Sequence, residues 1–284
     1  MLNLLKMETY RLKKTRSTWT ILLALILFIV FINSAIYFLS QIDETANLNQ
    51  QPEQTELDNV EVEIFVDESV DFPDDGNISA DEYISTMLDQ GALMLFVGIF
   101  VAFFITAEYK NGYIKNLASH LKSRNAYIFV KAIILSIFTL VFLVIYILLT
   151  LGMGKILYQN TLELTFNAHF TKYLLTQLVM HFGFSMLVML VSIQARSLSL
   201  PIIYTVIAST GFSANIYALL SSVLKKILPL ADSFDLGNYL VDARIIQFSL
   251  DQTDIFNQGL IVGIIFFFVC LILSMLLFSK RDIA

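Results

Sequence analysis

Six stretches of this chain are apolar for long enough to cross a bilayer, and the polar positions collect between them. The hydrocarbon core is about 30 Å thick, so a helix rising about 1.5 Å per residue needs roughly 20 apolar residues. Residues 19–39, 127–151, 173–193, 201–220 and 259–279 meet that length. The run Ala92–Ala107 is short. Ahead of it, Ser79-Ala80-Asp81-Glu82 has the S-x-x-E form of a capping box, which extends the second span to 80–107. The pattern predicts an all-α polytopic membrane protein with about six transmembrane helices. A seventh span stays open, because 221–258 mixes Leu224, Ile227, Leu228 and Leu230 with Lys225, Lys226 and Asp232 and breaks at Pro229. That segment reads as an extracellular amphipathic piece, an interfacial or re-entrant helix pair.

The flanks set direction. Lys and Arg gather on the cytoplasmic side of membrane spans. With both termini cytoplasmic, the inner segments hold thirteen basic residues and the outer ones five: Lys155, Lys172, Lys225, Lys226 and Arg244. Residues 1–18 read as an interfacial helix in which Leu2, Leu5, Thr9 and Leu12 share a face. Lys6, Lys13 and Lys14 lie off that face, either to meet anionic headgroups or as a plain positive-inside anchor. The long basic leader and an apolar run of about 20 residues predict a retained signal-anchor, since a cleaved h-region is usually 7–15 residues.

Composition sharpens this picture. The chain of 284 residues is 57% hydrophobic and 15% charged, far from the roughly 25% charged of a soluble domain. Its net charge of −6 hides a sorting by segment. Fifteen of the 24 acidic residues fall between Asp43 and Asp89, most of them in an acidic extracellular loop, 40–79. Within that loop Val60, Val62, Ile64 and Val66 alternate with Glu61, Glu63, Phe65 and Asp67, as in one strand or hairpin arm. Phe72–Asn77 reads as a turn. Asp71, Asp75, Gly76, Ile78 and Glu82 match part of a calcium-loop pattern, but Pro73 stands where an oxygen ligand belongs, so an acidic turn before a helix cap is the better reading.

Little chemistry is encoded. The single cysteine, Cys270, lies in an apolar run, and His120, His169 and His181 have no metal-ligand spacing. Gly152-Met153-Gly154-Lys155 lacks the spacing and hydroxyl of a phosphate loop, and no H-E-x-x-H or G-x-S-x-G occurs. The chain is not expected to be an enzyme, to bind a cofactor or to bind nucleic acid. Within the spans, His181 and Asn215 are candidates for a translocation path, and the alternative is helix–helix hydrogen bonding, as for Asn33, Thr205, Ser209 and Thr210. Gly259 and Gly263 form a G-x-x-x-G, a close-packing site for another helix.

The richest inner segment is 108–126. From Tyr113 onward it has helical spacing, with Ile114, Leu117 and Leu121 on one stripe and Lys115, Ser119 and Lys122 on another. Gly112 permits a tight change of direction, and Ser123 could cap the helix that Lys131 enters. On pattern alone this is either an ordinary positive-inside loop or a docking helix.

This loop resembles the first cytoplasmic loop of ABC-2-type transporter permeases. The likeness rests on Glu108, Gly112, Ile114-Lys115-Asn116-Leu117, Ser119 and Ser123-Arg124, followed by Lys131. The opening Leu4, Glu8 and Lys13, the block Lys226-Ile227-Leu228-Pro229 and the ending Phe278-Ser279-Lys280-Arg281-Asp282 are similar too, so the resemblance covers the whole chain. In style it is nearest to permeases of peptide-export and bacteriocin-immunity transporters, and the long acidic loop is the departure. The resemblance implies a multi-pass permease of the bacterial cell membrane that exports antimicrobial or other peptides or hydrophobic toxic compounds. It implies a coupling helix seated on a separate ABC ATP-binding subunit, which binds ATP and Mg, and dimerisation with itself or a second permease. The coupling residues it points to are Glu108, Gly112, Ile114, Lys115, Leu117, Ser119, Leu121 and Arg124. The competing classes are a stand-alone secondary transporter or channel, and a membrane sensor or anchor using the acidic loop.

Overall fold

The computed structural model describes residues 2–49, 78–110, 124–159, 161–228, 234–248, 250 and 256–280. The expected outer-loop strand at 60–67, the Phe72–Asn77 turn, most of the calcium-loop pattern and the amphipathic helix from Tyr113 lie outside the described residues. Those described form α-helices almost throughout: α1 (Leu2–Lys14), α2 (Arg16–Asn49), α3 (Ala80–Asp89), α4 (Ala92–Lys110), α5 (Arg124–Leu157), α6 (Phe170–Ala195), α7 (Ser199–Ser209), α8 (Phe212–Ile227), α9 (Val241–Gln247) and α10 (Phe256–Lys280). Two-residue strands β1 (Ile78–Ser79) and β2 (Leu162–Glu163) pair in parallel and tie the ends of two outer loops. The chain is an all-α polytopic membrane protein. Among the described residues α2, α4, α5, α6 and α10 are each long and apolar enough to cross a bilayer, and the bent pair α7–α8 brings the total to as many as six.

Side-chain contacts orient the helices. Arg11 of α1 pairs with Glu108 near the end of α4, and Arg124 at the start of α5 donates to the Ser279 carbonyl near the end of α10 at 3.1 Å. These four termini therefore share one end of the bundle, termed inner here after the charge bias. At the other, outer end Tyr146 of α5 donates to the Met87 carbonyl at 2.6 Å and Tyr173 of α6 reaches Asp89 at 2.7 Å. Helices α6 and α10 run parallel and pack closely. A Cβ on Gly183 would lie 2.7 Å from the Gly263 carbonyl oxygen, and one on Gly263 would lie 2.9 Å from the Val179 backbone. The G-x-x-x-G of α10 is thus occupied within the protein by α6.

Two runs read as single helices are broken. The stretch 80–107 divides after Asp89, because Gly91 adopts φ +73° with Ser209 packed where a side chain would stand. Its predicted start holds, with α3 beginning at Ala80. The Ser79 hydroxyl makes no cap bond to the helix backbone and instead donates to the Glu82 carboxylate at 3.3 Å, a side-chain bond outside the capping-box pattern. The run 201–220 divides at Thr210–Gly211, where Gly211 has φ +72° and the two helices meet at 82°. A positive φ is cheap only for glycine, so both breaks sit where the residue allows them. Within segment 234–248, Val241 to Ile245 of α9 are buried against α3, α6, α7 and α8, while Tyr239 is exposed. Backbone of this kind is tolerated at membrane depth only when protein covers it.

Candidate functional site

The inner end is built from three pairs of side chains, each one helical turn apart. Helix α1 supplies Glu8 and Arg11, α4 supplies Phe104 and Glu108, and α5 supplies Tyr127 and Lys131. Residues three or four apart share a face, so docking the three helices brings all six groups together. Arg11 Nη2 lies 2.9 Å from Glu8 Oε2, and Lys131 Nζ lies 2.5 Å from Glu108 Oε1 and 3.5 Å from Glu8 Oε2. Arg11 also pairs with Glu108, to which the Tyr127 hydroxyl donates. The Phe104 ring lies 4.2 Å from the Lys131 ammonium and 5.0 Å from the Arg11 guanidinium.

Two acids and two bases leave this cluster neutral. Glu8, Glu108 and Lys131 are buried, while Arg11 keeps some contact with solvent. Burial pushes the Glu8 carboxyl upward, opposed by the Lys131 ammonium, reinforced by Glu108 and opposed in turn by Arg11. Such a group is costly to dehydrate and costlier to break: removing one partner of a buried pair costs about 3–5 kcal/mol, because the other charge stays buried. The cluster therefore locks α1 to the bundle in one register.

Sequence periodicity misplaced the buried face of α1. Leu2, Leu5, Thr9 and Leu12 were the expected stripe, yet Thr9 is exposed and Glu8 is buried beside Leu12. The spacing of Leu5, Glu8 and Leu12 is equally helical. A carboxylate on that face signals a basic partner, and this was the clue to Lys131. Arg11 was counted only towards the charge bias. Lys6, Lys13 and Lys14 are exposed, off the docked face.

Of the residues expected to couple, Glu108 and Arg124 are described, and each is fastened to another part of the bundle. Gly112, Ile114, Lys115, Leu117, Ser119 and Leu121 lie outside the described residues, as does Ser123. The two candidates for a translocation path are far apart in environment. His181 is buried, with Nδ1 2.8 Å from the Gln177 carbonyl and Nε2 without a hydrogen-bond partner among the described residues. A carbonyl only accepts, so Nδ1 carries the hydrogen of that bond. Asn215 is exposed on α8. Asn33 hydrogen-bonds the Tyr83 hydroxyl at 2.5 Å, joining α2 to α3.

The outer end carries acids of a different kind. Asp89 accepts from the Tyr173 hydroxyl at 2.7 Å and from Gln177 Nε2 at 3.3 Å, and Asp242 accepts from Tyr217 at 2.7 Å. Neither carboxyl forms an ion pair among the described residues. Burial raises the Asp89 carboxyl to about 8, with the Tyr173 bond pulling the other way.

The profile of a family described as ABC-2 family transporter protein matches residues 4–211. That span starts in α1, includes the charge cluster and the 108–126 loop, and stops at the bend before α8. No curated protein sequence matches the chain.

Proposed function

A match over most of its length places this chain in the ABC-2 family of transporter proteins, and from that premise we propose that it is the membrane half of an ATP-driven exporter whose 108–126 loop receives the ATPase stroke. The protein is a multi-pass permease of an ABC transporter in the cell membrane. Membership of this family implies an ABC ATP-binding subunit as its working partner. ATP and Mg belong to that subunit, and this chain supplies no catalytic group.

The observation that carries the coupling proposal is the fastening of both roots of the loop. On one side Glu108 is bound to α1 and α5 through Arg11, Lys131 and Tyr127. On the other, Arg124 holds the end of α10, where Tyr127 and Phe278 also touch at 5.6 Å between ring centroids. A push on the loop is then delivered to α1, α4, α5 and α10 together. Stiff transmission of this sort needs rigid elements joined by discrete bonds. By sequence spacing alone, the apolar key is assigned to Ile114, Leu117 and Leu121, the polar rim to Lys115 and Ser119, and the turn to Gly112.

The exported class we favour is peptides, including antimicrobial ones, or hydrophobic toxic compounds, with a homodimer or a pair with a second permease as the transporting unit. His181, whose buried Nε2 has no hydrogen-bond partner among the described residues, is the stronger path candidate, and Asn215 sits at the surface. The test is co-purification from native membranes. The wild-type chain is expected to bring down an ATP-binding protein, and Lys115→Glu to lose it while keeping its own thermal stability. Retention of the partner by Lys115→Glu, or labelling of Ser119→Cys by an impermeant maleimide on intact cells, would overturn the reading.

A further inference from the structure

Helix α7 climbs the bundle beside α4. Thr205 packs on Gly98 and Ser209 on Gly91, so α7 ends at the outer end. From there α8 departs at 82°. Its 16 residues run about 24 Å across the outer end. The sequence treats most of this stretch as the upper half of a span, and the structure turns it 82° away from α7.

Three faces run along α8. On the packing face Ser213 and Ser221 are buried, the Tyr217 hydroxyl donates to Asp242, and the Ser221 hydroxyl accepts from the Leu236 N–H at 2.8 Å. On the second face Phe212, Ile216, Leu219, Leu220, Val223 and Ile227 recur at helical spacing and are 38 to 72% exposed. The third face is exposed and polar, with Asn215, Ser222, Lys225 and Lys226. Apolar and polar faces thus flank the packing face on opposite sides. One boundary between oil and water satisfies both at once.

We propose that α8 is an in-plane anchor seated in the outer leaflet, with its apolar stripe among acyl chains and Lys225 and Lys226 at anionic phospholipid headgroups. Two observations select lipid over a second copy of the chain. Leu200, Ile203 and Val206 of α7, the helix that leads into the bend, are exposed as well, and they face the acyl layer if α7 climbs the bilayer. Lys226 lies beside Leu219 at the edge of the stripe, where its stem can lie on apolar surface while its ammonium reaches phosphate, and Lys225 stands farther round on the exposed polar face. The anchor also has a purpose within the fold. Through Tyr217 and Ser221 it grips the 234–248 segment, whose Ile245 carbonyl accepts from Gln177 at 3.4 Å in the bundle core. Lipid contact at α8 thereby positions the outer cap.

The inference uses the membrane setting alone and is independent of ATPase coupling. The full-length protein, with Cys270→Ala, is reconstituted in vesicles of phosphatidylglycerol and phosphatidylcholine. Spin labels are placed singly through Leu219→Cys, Val223→Cys and Ser222→Cys. Power saturation is expected to find Leu219 and Val223 accessible to oxygen and shielded from a water-soluble nickel chelate, with Ser222 reversed. Nickel access at Leu219 would place the stripe in water and overturn the proposal. Shielding from both reagents, with spin–spin broadening, would place another copy on it and do the same. Pure phosphatidylcholine, or Lys225→Gln with Lys226→Gln, is expected to shift the labels to a shallower depth, and an unchanged depth would remove the headgroup role. Bromolipid quenching of Leu219→Trp in a Trp19→Phe background reads the same depth without a cysteine.

Discussion

The two ends of the bundle bury acids in opposite ways. At the inner end Glu8 and Glu108 each meet a cation, and four charges from three helices cancel. At the outer end Asp89 and Asp242 are held by tyrosine hydroxyls and have no ion-pair partner among the described residues. The difference follows from where the chain puts its cations. The same bias that orients the spans concentrates Lys and Arg at the inner end and leaves the outer end poor in them. A buried acid inside can therefore be compensated by a charge, whereas Asp89 and Asp242 outside rely on neutral donors, and the Asp89 carboxyl is raised by burial. The inner end becomes a rigid electrostatic joint and the outer end a protonation-sensitive one.

The largest expected effect breaks the inner joint. Lys131→Met leaves Glu8 and Glu108 facing each other with only Arg11, and should cost about 3–5 kcal/mol. The measurement is thermal unfolding of the purified protein in detergent. Adding Glu108→Gln should recover much of the loss, and a double variant damaged by the sum of the two single losses would show that the charges act independently.

A smaller effect separates the ends by pH. The Asp89 carboxyl is raised in the folded protein to about 8 from an ordinary value near 4. The folded state thus binds the proton more tightly than the unfolded chain does. Stability from this group is full below about pH 4 and is lost as pH rises towards 8. Asp89→Asn should flatten that part of the stability profile. A slope unchanged by Asp89→Asn would move the titration to another group. The smallest effect tests a neutral outer contact: Tyr83→Phe removes the bond to Asn33 and should cost about 0.6–2 kcal/mol, the range for hydrogen bonds between membrane helices. A loss as large as that of Lys131→Met would erase the contrast between the ends.

The apolar helices able to span a bilayer, five or six among the described residues, were legible in the sequence because hydropathy is a sum over neighbouring residues. The start of α3 at Ala80 and the packing role of Gly259 and Gly263 could be read for the same local reason. Helical spacing on α1 admitted two stripes, one through Thr9 and one through Glu8, and only the docking of α5 chose between them. Lys131 lies 123 residues from Glu8, so no local pattern joins them.

By itself, then, the sequence determined that the chain would be a polytopic membrane protein and that its cations would be sorted unevenly among the segments between spans. The tertiary structure alone decided that Glu8 pairs with Lys131, that α6 fills the glycine face of α10, and that α8 turns aside at Gly211 instead of finishing a span. The physical reason is one of range. Transfer into lipid is settled residue by residue along a helix, whereas compensation of a buried charge, close approach of two backbones and the cost of a bend depend on what another helix presents.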